Sequence, residues 1–304
     1  MWNWTLKLIP ATTNVQFVRL RFIAFVLSGV LLVGSILASA TQGLNFGIDF
    51  IGGTLVEVSS NDTVDIAALR GRLARLNMGD TQIQEFGSQN DVLIRVAQSA
   101  NATTAAEDLS VVAKIRTELA GDFEIRRVEV VGPKVSAELI QSGAFAVLAA
   151  LAAMLIYIWF RFEWQFGVGA VIALTHDVLL TIGIFSVLQL EFNLSILAAI
   201  LTIVGYSMND TVIVYDRVRE NLRKYKKRDL AEVLDLAVNE TLSRTVMTSS
   251  TTLLALIALY TLGGEVIAGF TFAMMWGVVV GTYSSIFIAV PLLIFMGVKR
   301  DWSL

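Results

Sequence analysis

The 304-residue chain is 55% hydrophobic and only 16% charged, with a mean hydropathy of +0.68 and a net charge of −3. This composition excludes an ordinary soluble globular domain. The lack of cysteine excludes disulfides and thiolate metal sites, and a single histidine excludes a metal centre built from several histidines.

Charged residues are missing from long stretches of the chain. The uncharged stretches are 22–48, 139–160, 192–209, 245–264 and 266–298. A bilayer core of roughly 30 Å requires about twenty apolar residues in a helix. The stretch 164–190 is also apolar, although His176 and Asp177 interrupt it. We therefore predict six transmembrane helices, at residues 20–40, 139–160, 166–188, 193–215, 245–263 and 268–296.

Lysine and arginine lie beside alternate ends of these spans. They include Lys7, Arg19, Arg21, Arg161, seven residues within 217–228, Lys299 and Arg300. Because basic flanks are retained in the cytoplasm, both termini are predicted to be cytoplasmic. The predicted divisions are 1–41 (N-terminus and first span), 42–137 (an extracytoplasmic domain), 138–298 (spans two to six) and 299–304 (cytoplasmic C-terminus). The start also resembles a signal peptide, but its apolar run is too long and five spans follow.

The domain between the first two spans shows alternating short elements. Strand-like segments are predicted at 54–59, 81–86, 91–96 and 123–131, and helical spacing at 64–76 and 104–119. The order β-α-β-β-α-β is that of the ferredoxin-like motif. Acidic residues outnumber basic ones in 42–137, so a nucleic-acid surface is excluded. We predict an α-helical membrane protein with an inserted α+β ferredoxin-like domain, and no enzymatic activity.

A glycine-rich segment precedes this domain. It contains Gly47, Asp49, Gly52 and Gly53. Such spacing indicates tight turns or a close backbone approach, as in a hinge or a docking element. A phosphate-binding loop is not expected, because no Lys-Ser/Thr pair and no helix start follow.

Ionisable residues inside the spans are the main functional signal. Asp177 lies midway along the third span, Asp210 in the cytoplasmic half of the fourth, and Arg244 at the start of the fifth. A carboxylate at the bilayer centre costs roughly 2.5–3.5 kcal/mol, so each one requires a partner or a function. Helical spacing places Ser207 on the face of Asp210, and Thr248 on the face of Arg244.

This pattern predicts a hydrated path between the fourth and fifth spans. Burial and a nearby cation act in opposite directions on a carboxylate, and together they can poise it to bind and release a proton. The predicted proton-relay residues are Asp210 and Arg244. The predicted supporting polar residues are Asn209, Ser207, Thr248 and Asp177.

Structural alternatives remain for each of these residues. Arg244 could extend to the lipid headgroups, and Asp210 could form a static ion pair. Asp177 fits either a second-line relay or an interhelical hydrogen bond, and a metal site at His176–Asp177 is excluded by the lack of further ligands. Gly277 and Gly281 predict close helix packing.

Two further helical features are predicted. Pro291 should bend the sixth span. The segment 217–240 combines a basic cluster with regularly spaced apolar residues, which is typical of an amphipathic helix lying at the membrane interface.

These motifs together resemble the bacterial SecF family of protein export. The segments that carry the resemblance are 47–53, 175–177, 205–211, 215–221, 243–245 and 248–249. It extends over the whole chain and implies a bundle that pairs with SecD into twelve helices, like resistance-nodulation-division transporters. It also implies that Asp210 and Arg244 match the family's essential membrane charges, which work with an aspartate from SecD.

The resemblance further implies location, partners and coupling. The expected site is the bacterial cytoplasmic (inner) membrane, with SecYEG, SecA and YajC as the wider complex and an unfolded preprotein as substrate. Lipids are expected partners, nucleic acid is not, and no cofactor or metal is expected. The coupling ion is the proton, with sodium not excluded. A passive translocon scaffold and half of a small-molecule exporter remain alternative functions.

Overall fold

The structure is a computed structural model that describes residues 13–79, 81–97 and 105–298. The predicted cytoplasmic C-terminus 299–304, the basic residue Lys7 and the first residue of the predicted helix 104–119 lie outside the described residues. Six helices of the described chain are long and apolar enough to cross a membrane, as predicted.

The chain enters the bundle through its first span. A short 3-10 turn (Val18–Leu20) leads into α1 (Arg21–Thr41), and α1 is followed by β1 (Asn45–Phe46) and α2 (Ile48–Ile51). The two residues of β1 pair in parallel with a later two-residue strand, so this connection is fixed to the bundle.

The inserted domain has the predicted ferredoxin-like order. Its elements are β2 (Gly53–Ser59), α3 (Ile66–Ala74), β3 (Thr81–Phe86), β4 (Ser88–Ala97), α4 (Ala105–Leu119) and β5 (Glu124–Val131). The sheet order is β3-β4-β2-β5, and every neighbouring pair is antiparallel. In the central register Val56 lies opposite Ile94 and Val128. Strand β4 begins at Ser88, three residues before the predicted start, so the hairpin with β3 is tighter than expected.

The remaining spans form the rest of the bundle. They are α5 (Pro133–Arg161), α6 (Trp164–Leu188), β6 (Glu191–Phe192), α7 (Leu194–Lys224), α8 (Leu230–Leu262), α9 (Glu265–Ser284), a π-helical segment (Ser285–Ala289) and α10 (Val290–Phe295). Helices α6, α7 and α9 are the most buried, whereas α1, α5 and α8 leave most of their apolar residues uncovered. The centre of the bundle is therefore formed by α6, α7 and α9.

The prediction of a separate interfacial helix over 217–240 is wrong. Helix α7 continues to Lys224, and α8 starts at Leu230 and runs without a break into the fifth span. The apolar residues Val233, Leu234 and Ala237 are fully buried in the protein core. Protein packing therefore covers the apolar face that the sequence pattern assigned to lipid.

Candidate functional site in the membrane bundle

A buried hydrogen-bond network surrounds Asp177 at the middle of α6. Its Oδ2 accepts hydrogen bonds from the hydroxyls of Ser207 on α7, at 2.5 Å, and Ser284 on α9, at 2.7 Å. Its Oδ1 lies 2.9 Å from Nδ1 of His176, and Nε2 of His176 lies 3.2 Å from the hydroxyl of Ser28 on α1. The His176–Asp177 pair thus connects α6 with α1, α7 and α9.

Glycines on α9 bring the serines within reach of Asp177. A Cβ on Gly277 would lie 2.3 Å from the side chain of Ile203, and one on Gly281 would lie 3.0 Å from Cβ of Ser207. This confirms the packing role predicted for the two glycines. Because α9 lies so close to α7, Ser207 and Ser284 can reach the same oxygen of Asp177.

The sixth span changes its winding beside this network. Ser284 is the last residue of α9, and the π-helical segment Ser285–Ala289 follows it directly. The hydroxyl of Tyr215 on α7 donates to the carbonyl oxygen of Ala289 at 3.0 Å. Pro291, predicted to bend the span, lies just beyond this segment, in the first turn of α10. Single π turns inside α-helices are frequent at functional sites.

Within the described part of the chain, Asp210 has fewer hydrogen-bond partners than Asp177. It lies on the buried face of α7, one turn after Ser207, and its Oδ2 is buried without a hydrogen-bond partner. Arg244 on α8 is the cation that acts on it electrostatically. Arg244 itself is exposed on the surface of the bundle. An arginine on the outer face of a membrane helix is costly in lipid, so this surface suits a partner or water.

The predicted supporting residues separate into two groups. Ser207 binds Asp177 and not Asp210. Asn209 is exposed, and the hydroxyl of Thr248 donates to the backbone carbonyl of Arg244 at 2.9 Å. The structure therefore brings Asp177 together with Ser207, and it leaves Asn209, Arg244 and Thr248 on or near the outer surface.

Ser28 and Ser284 are site residues that sequence reasoning missed. Ser28 is an isolated hydroxyl in an apolar span, whereas Ser284 lies within the hydroxyl-bearing run 282–285, and hydroxyls in spans commonly bond between helices. That signal was present but does not indicate a partner. Among the described residues, no group of three or more His, Asp or Glu side chains is placed to hold a metal ion.

The glycine-rich segment packs against the start of α7. The carboxylate of Asp49 accepts a hydrogen bond from the backbone N–H of Leu194 at 2.9 Å, which caps that helix. A Cβ on Gly47 would lie 2.7 Å from Oε1 of Glu191, so a larger residue would collide there. Gly52 and Gly53 have φ values of 73° and 126°, which favour glycine. This geometry favours the docking interpretation over the hinge.

An ion pair joins the sheet domain to the same region. Arg95 on β4 pairs with Glu191 on β6, and it also donates to the side chain of Asn45 at 3.3 Å. Burial raises the pKa of Glu191 above its ordinary value, and the guanidinium of Arg95 only partly offsets this effect. Sequence spacing could not pair these two residues because they are far apart in the chain.

Comparisons with known proteins agree with this architecture. A family described as protein export membrane protein SecD/SecF, C-terminal, matches residues 111–299, and the SecD/SecF GG motif matches residues 37–64. A curated protein translocase subunit SecF from Cereibacter sphaeroides is 47% identical, over 97% of this chain and 93% of its own length. The subunit SecF from Rickettsia akari is 43% identical, over 95% and 94%.

Solved structures give the same result. A crystal structure of SecDF, a translocon-associated membrane protein from Thermus thermophilus, matches with a TM-score of 0.86 at 32% identity. The match covers 98% of this chain and 40% of the SecDF chain, so this chain spans less than half of that protein. SecDF in a super-membrane-facing form matches with a TM-score of 0.66. With six apolar helices, and with matching relatives along nearly its whole length, this chain is a multi-pass membrane protein that belongs to the SecF family of protein translocase subunits.

Proposed function

We propose that this chain is the SecF-type half of a SecD–SecF complex that assists protein translocation with energy from the proton motive force. It acts in the bacterial cytoplasmic membrane as a transport subunit and not as an enzyme. It requires no cofactor, and the proton is its coupling ion. Asp210 binds and releases the proton, and Arg244 sets the electrostatic field around it.

The observation that carries this proposal is that the carboxylate of Asp210 has an oxygen that lacks a hydrogen-bond partner in the part of the chain that the structure describes. Oδ2 of Asp210 is buried without a partner, and the cation that acts on it, Arg244, is exposed on the bundle surface. An unpaired carboxylate inside a membrane is expensive and is usually functional. A carboxylate from a second chain, placed against Arg244, would complete the site.

The comparisons support a SecD-type chain as that second component. This chain matches 40% of the solved SecDF chain, whose name joins the two subunits. The uncovered apolar residues of α1, α5 and α8 leave room for further helices. SecYEG, SecA, YajC and the unfolded preprotein are proposed as the wider set of partners, together with membrane lipids.

The proposed orientation follows from the positions of basic residues. Seven Lys and Arg residues lie within 217–228, where α7 and α8 are joined, and the opposite connections carry Glu191 and Glu265. Basic residues beside spans are retained in the cytoplasm. This rule supports cytoplasmic termini and an extracytoplasmic sheet domain.

Proton flux in vesicles tests the proposal. Vesicles containing this chain and its SecD-type partner should conduct protons under an imposed gradient. Asp210→Asn keeps the shape of the side chain but cannot titrate, so it should abolish the flux, and Arg244→Met should do the same. Glu232→Gln is the matched control, because Glu232 is an exposed carboxylate on α8 that pairs with Arg228 at 2.9 Å.

The alternatives give different results in the same system. If protein export and proton flux both survive Asp210→Asn, the proton relay is refuted and a passive translocon scaffold is favoured. A drug-sensitivity phenotype without a secretion defect would favour half of a small-molecule exporter. Flux that follows a sodium gradient in the absence of a proton gradient would identify sodium as the coupling ion.

A further inference from the structure

A chain of hydrogen bonds extends from the His176–Asp177 pair across to α1 and α9. Nε2 of His176 lies 3.2 Å from the hydroxyl oxygen of Ser28, and that oxygen lies 3.0 Å from the hydroxyl of Tyr283. The hydroxyl of Tyr283 donates to the backbone carbonyl of Ala24 at 3.0 Å. Each hydroxyl in this chain has a single proton to donate, so the protons can be assigned one by one.

The assignment starts at the carbonyl, because a carbonyl oxygen can only accept. Tyr283 uses its one proton on the carbonyl of Ala24, so Ser28 must donate to the oxygen of Tyr283. Ser28 then has no proton left for the imidazole. The contact between Ser28 and His176 therefore requires a proton on Nε2 of His176.

That requirement fixes the charge of the pair. With Nε2 protonated, the 2.9 Å contact between Nδ1 of His176 and Oδ1 of Asp177 needs one more proton. The proton lies either on Nδ1, giving an imidazolium and a carboxylate, or on Oδ1, giving a neutral imidazole and a carboxylic acid. In both forms the pair has a net charge of zero, which suits its fully buried position.

The same heavy atoms allow a second arrangement with one proton fewer. Tyr283 can donate to Ser28, Ser28 to Nε2 of His176, and Nδ1–H to the carboxylate of Asp177. The pair then has one negative charge. The hydroxyls of Ser207 and Ser284 stabilise that charge at Oδ2, at 2.5 and 2.7 Å.

We infer that His176 and Asp177 form a second proton-binding site, and that the hydrogen-bond chain through Ser28 and Tyr283 reverses its direction each time the site gains or loses one proton. A proton that enters from the aqueous phase binds at Nε2, and the proton already on Nδ1 is then shared with Oδ1. The only other change is the rotation of two hydroxyls. The inference depends on this hydrogen-bond chain alone, and it holds whether or not Asp210 takes part in proton conduction.

Few charges surround this site. The helices packed against α6 have no charged residue within 22–41, 139–160 or 266–295, and α7 contributes Asp210 one turn after Ser207. Tyr283 is the titratable group in contact, with its ring centroid 6.1 Å from that of His176. Asp210 is therefore the full charge that these helices place within one turn of a residue of the network.

The hydrogen-bond chain lies directly beside the π-helical segment of the sixth span. Tyr283 and Ser284 both belong to the network, and they immediately precede Ser285–Ala289. Single π turns inside α-helices are frequent at functional sites, and this one directly follows two residues of the network.

The single histidine makes the test unambiguous. The full chain is labelled with 15N-histidine in lipid bilayers, and every imidazole signal then belongs to His176. As the pH rises from about 5 to about 9, Nε2 should change from protonated to unprotonated. No change across this window would overturn the inference.

Two isosteric variants separate this site from the proposed relay. Asp177→Asn should remove the pH-dependent change from the window, because the amide cannot share the proton. Asp210→Asn should retain it, even if proton flux is lost. A titration that survives Asp177→Asn, or one that disappears in Asp210→Asn, would contradict the inference. The thermal unfolding transition of each variant confirms that it is folded.

Discussion

Asp177 and Asp210 are both carboxylates inside the membrane bundle, but their surroundings are opposite. Asp177 is fully buried and is bonded to two serine hydroxyls, with the imidazole of His176 on its other oxygen. Asp210 has a buried oxygen without a partner, and the cation that acts on it is exposed on the bundle surface.

The difference separates a carboxylate whose hydrogen-bond partners all lie in this chain from one that we propose a second chain completes. Desolvation makes both carboxylates costly, and of the two buried Oδ2 atoms only that of Asp177 is compensated by hydrogen bonds from the same chain. Burial by itself therefore does not identify the residue that works with a partner. The number of hydrogen-bond partners separates the two carboxylates, and it supports the proposal that Asp210 works with a second chain.

The largest expected effect is on stability at Asp177. Asp177→Ala leaves the hydroxyls of Ser207 and Ser284 and Nδ1 of His176 without their acceptor, so we expect a loss of about 3–5 kcal/mol, the range for breaking a buried pair. Reversible unfolding in mixed detergent measures this loss. Asp210→Ala is the matched comparison and should cost far less, because it removes a group without partners. Equal losses in the two variants would refute the comparison.

The sequence predicts much of the fold because the signals for the fold are local. The six spans follow from uncharged stretches, and the order of the sheet domain follows from alternating periods. The interfacial helix over 217–240 was wrong for a physical reason. An apolar face requires cover, but its pattern does not say whether lipid or protein provides it, and here α8 continues into the bundle.

The partners within the site could not be predicted in the same way. Helical spacing correctly put Ser207 on the buried face with Asp210, but it could not show that the hydroxyl turns to Asp177 on another helix. That contact depends on the packing of α6, α7 and α9, and Gly281 lets α9 lie directly against Ser207. The pairing of Arg95 with Glu191 likewise depends on how the sheet domain docks.

A smaller effect is expected where the helices approach. In Gly281→Ala the new methyl group would meet Cβ of Ser207 at 3.0 Å, and we expect overpacking to cost about 1–3 kcal/mol. Gly205→Ala is the control, because a Cβ there meets nothing within 4 Å and should stabilise the helix by up to about 1 kcal/mol. Unfolding measures both, and the 15N signals of His176 should change only in Gly281→Ala. If Gly281→Ala left the free energy of unfolding unchanged, the helices would be able to move apart at this point without cost.

The smallest effect is expected at Asp91, which has a similar set of donors outside the membrane. The hydroxyls of Ser59 and Ser88 bond to its carboxylate, Arg126 lies 3.0 Å away, and these contacts hold its pKa below the ordinary value. The stability that Asp91 contributes to the folded domain is therefore complete above the pKa of this carboxylate in the unfolded chain. It is lost as the pH falls through the lower pKa that the carboxylate has in the folded chain.

Asp91→Ala should cost no more than about 1 kcal/mol at neutral pH, because water solvates Ser88 and Arg126, two of the three groups that it leaves behind. Hydrogen exchange of β4 in the full chain measures this, and the difference from wild type should shrink as the pH falls below about 4. A loss as large as that of Asp177→Ala would show that the donors decide the cost. The expected small loss would show that the surrounding medium decides the cost. Two serine hydroxyls bond each carboxylate, and only the site at Asp177 excludes water.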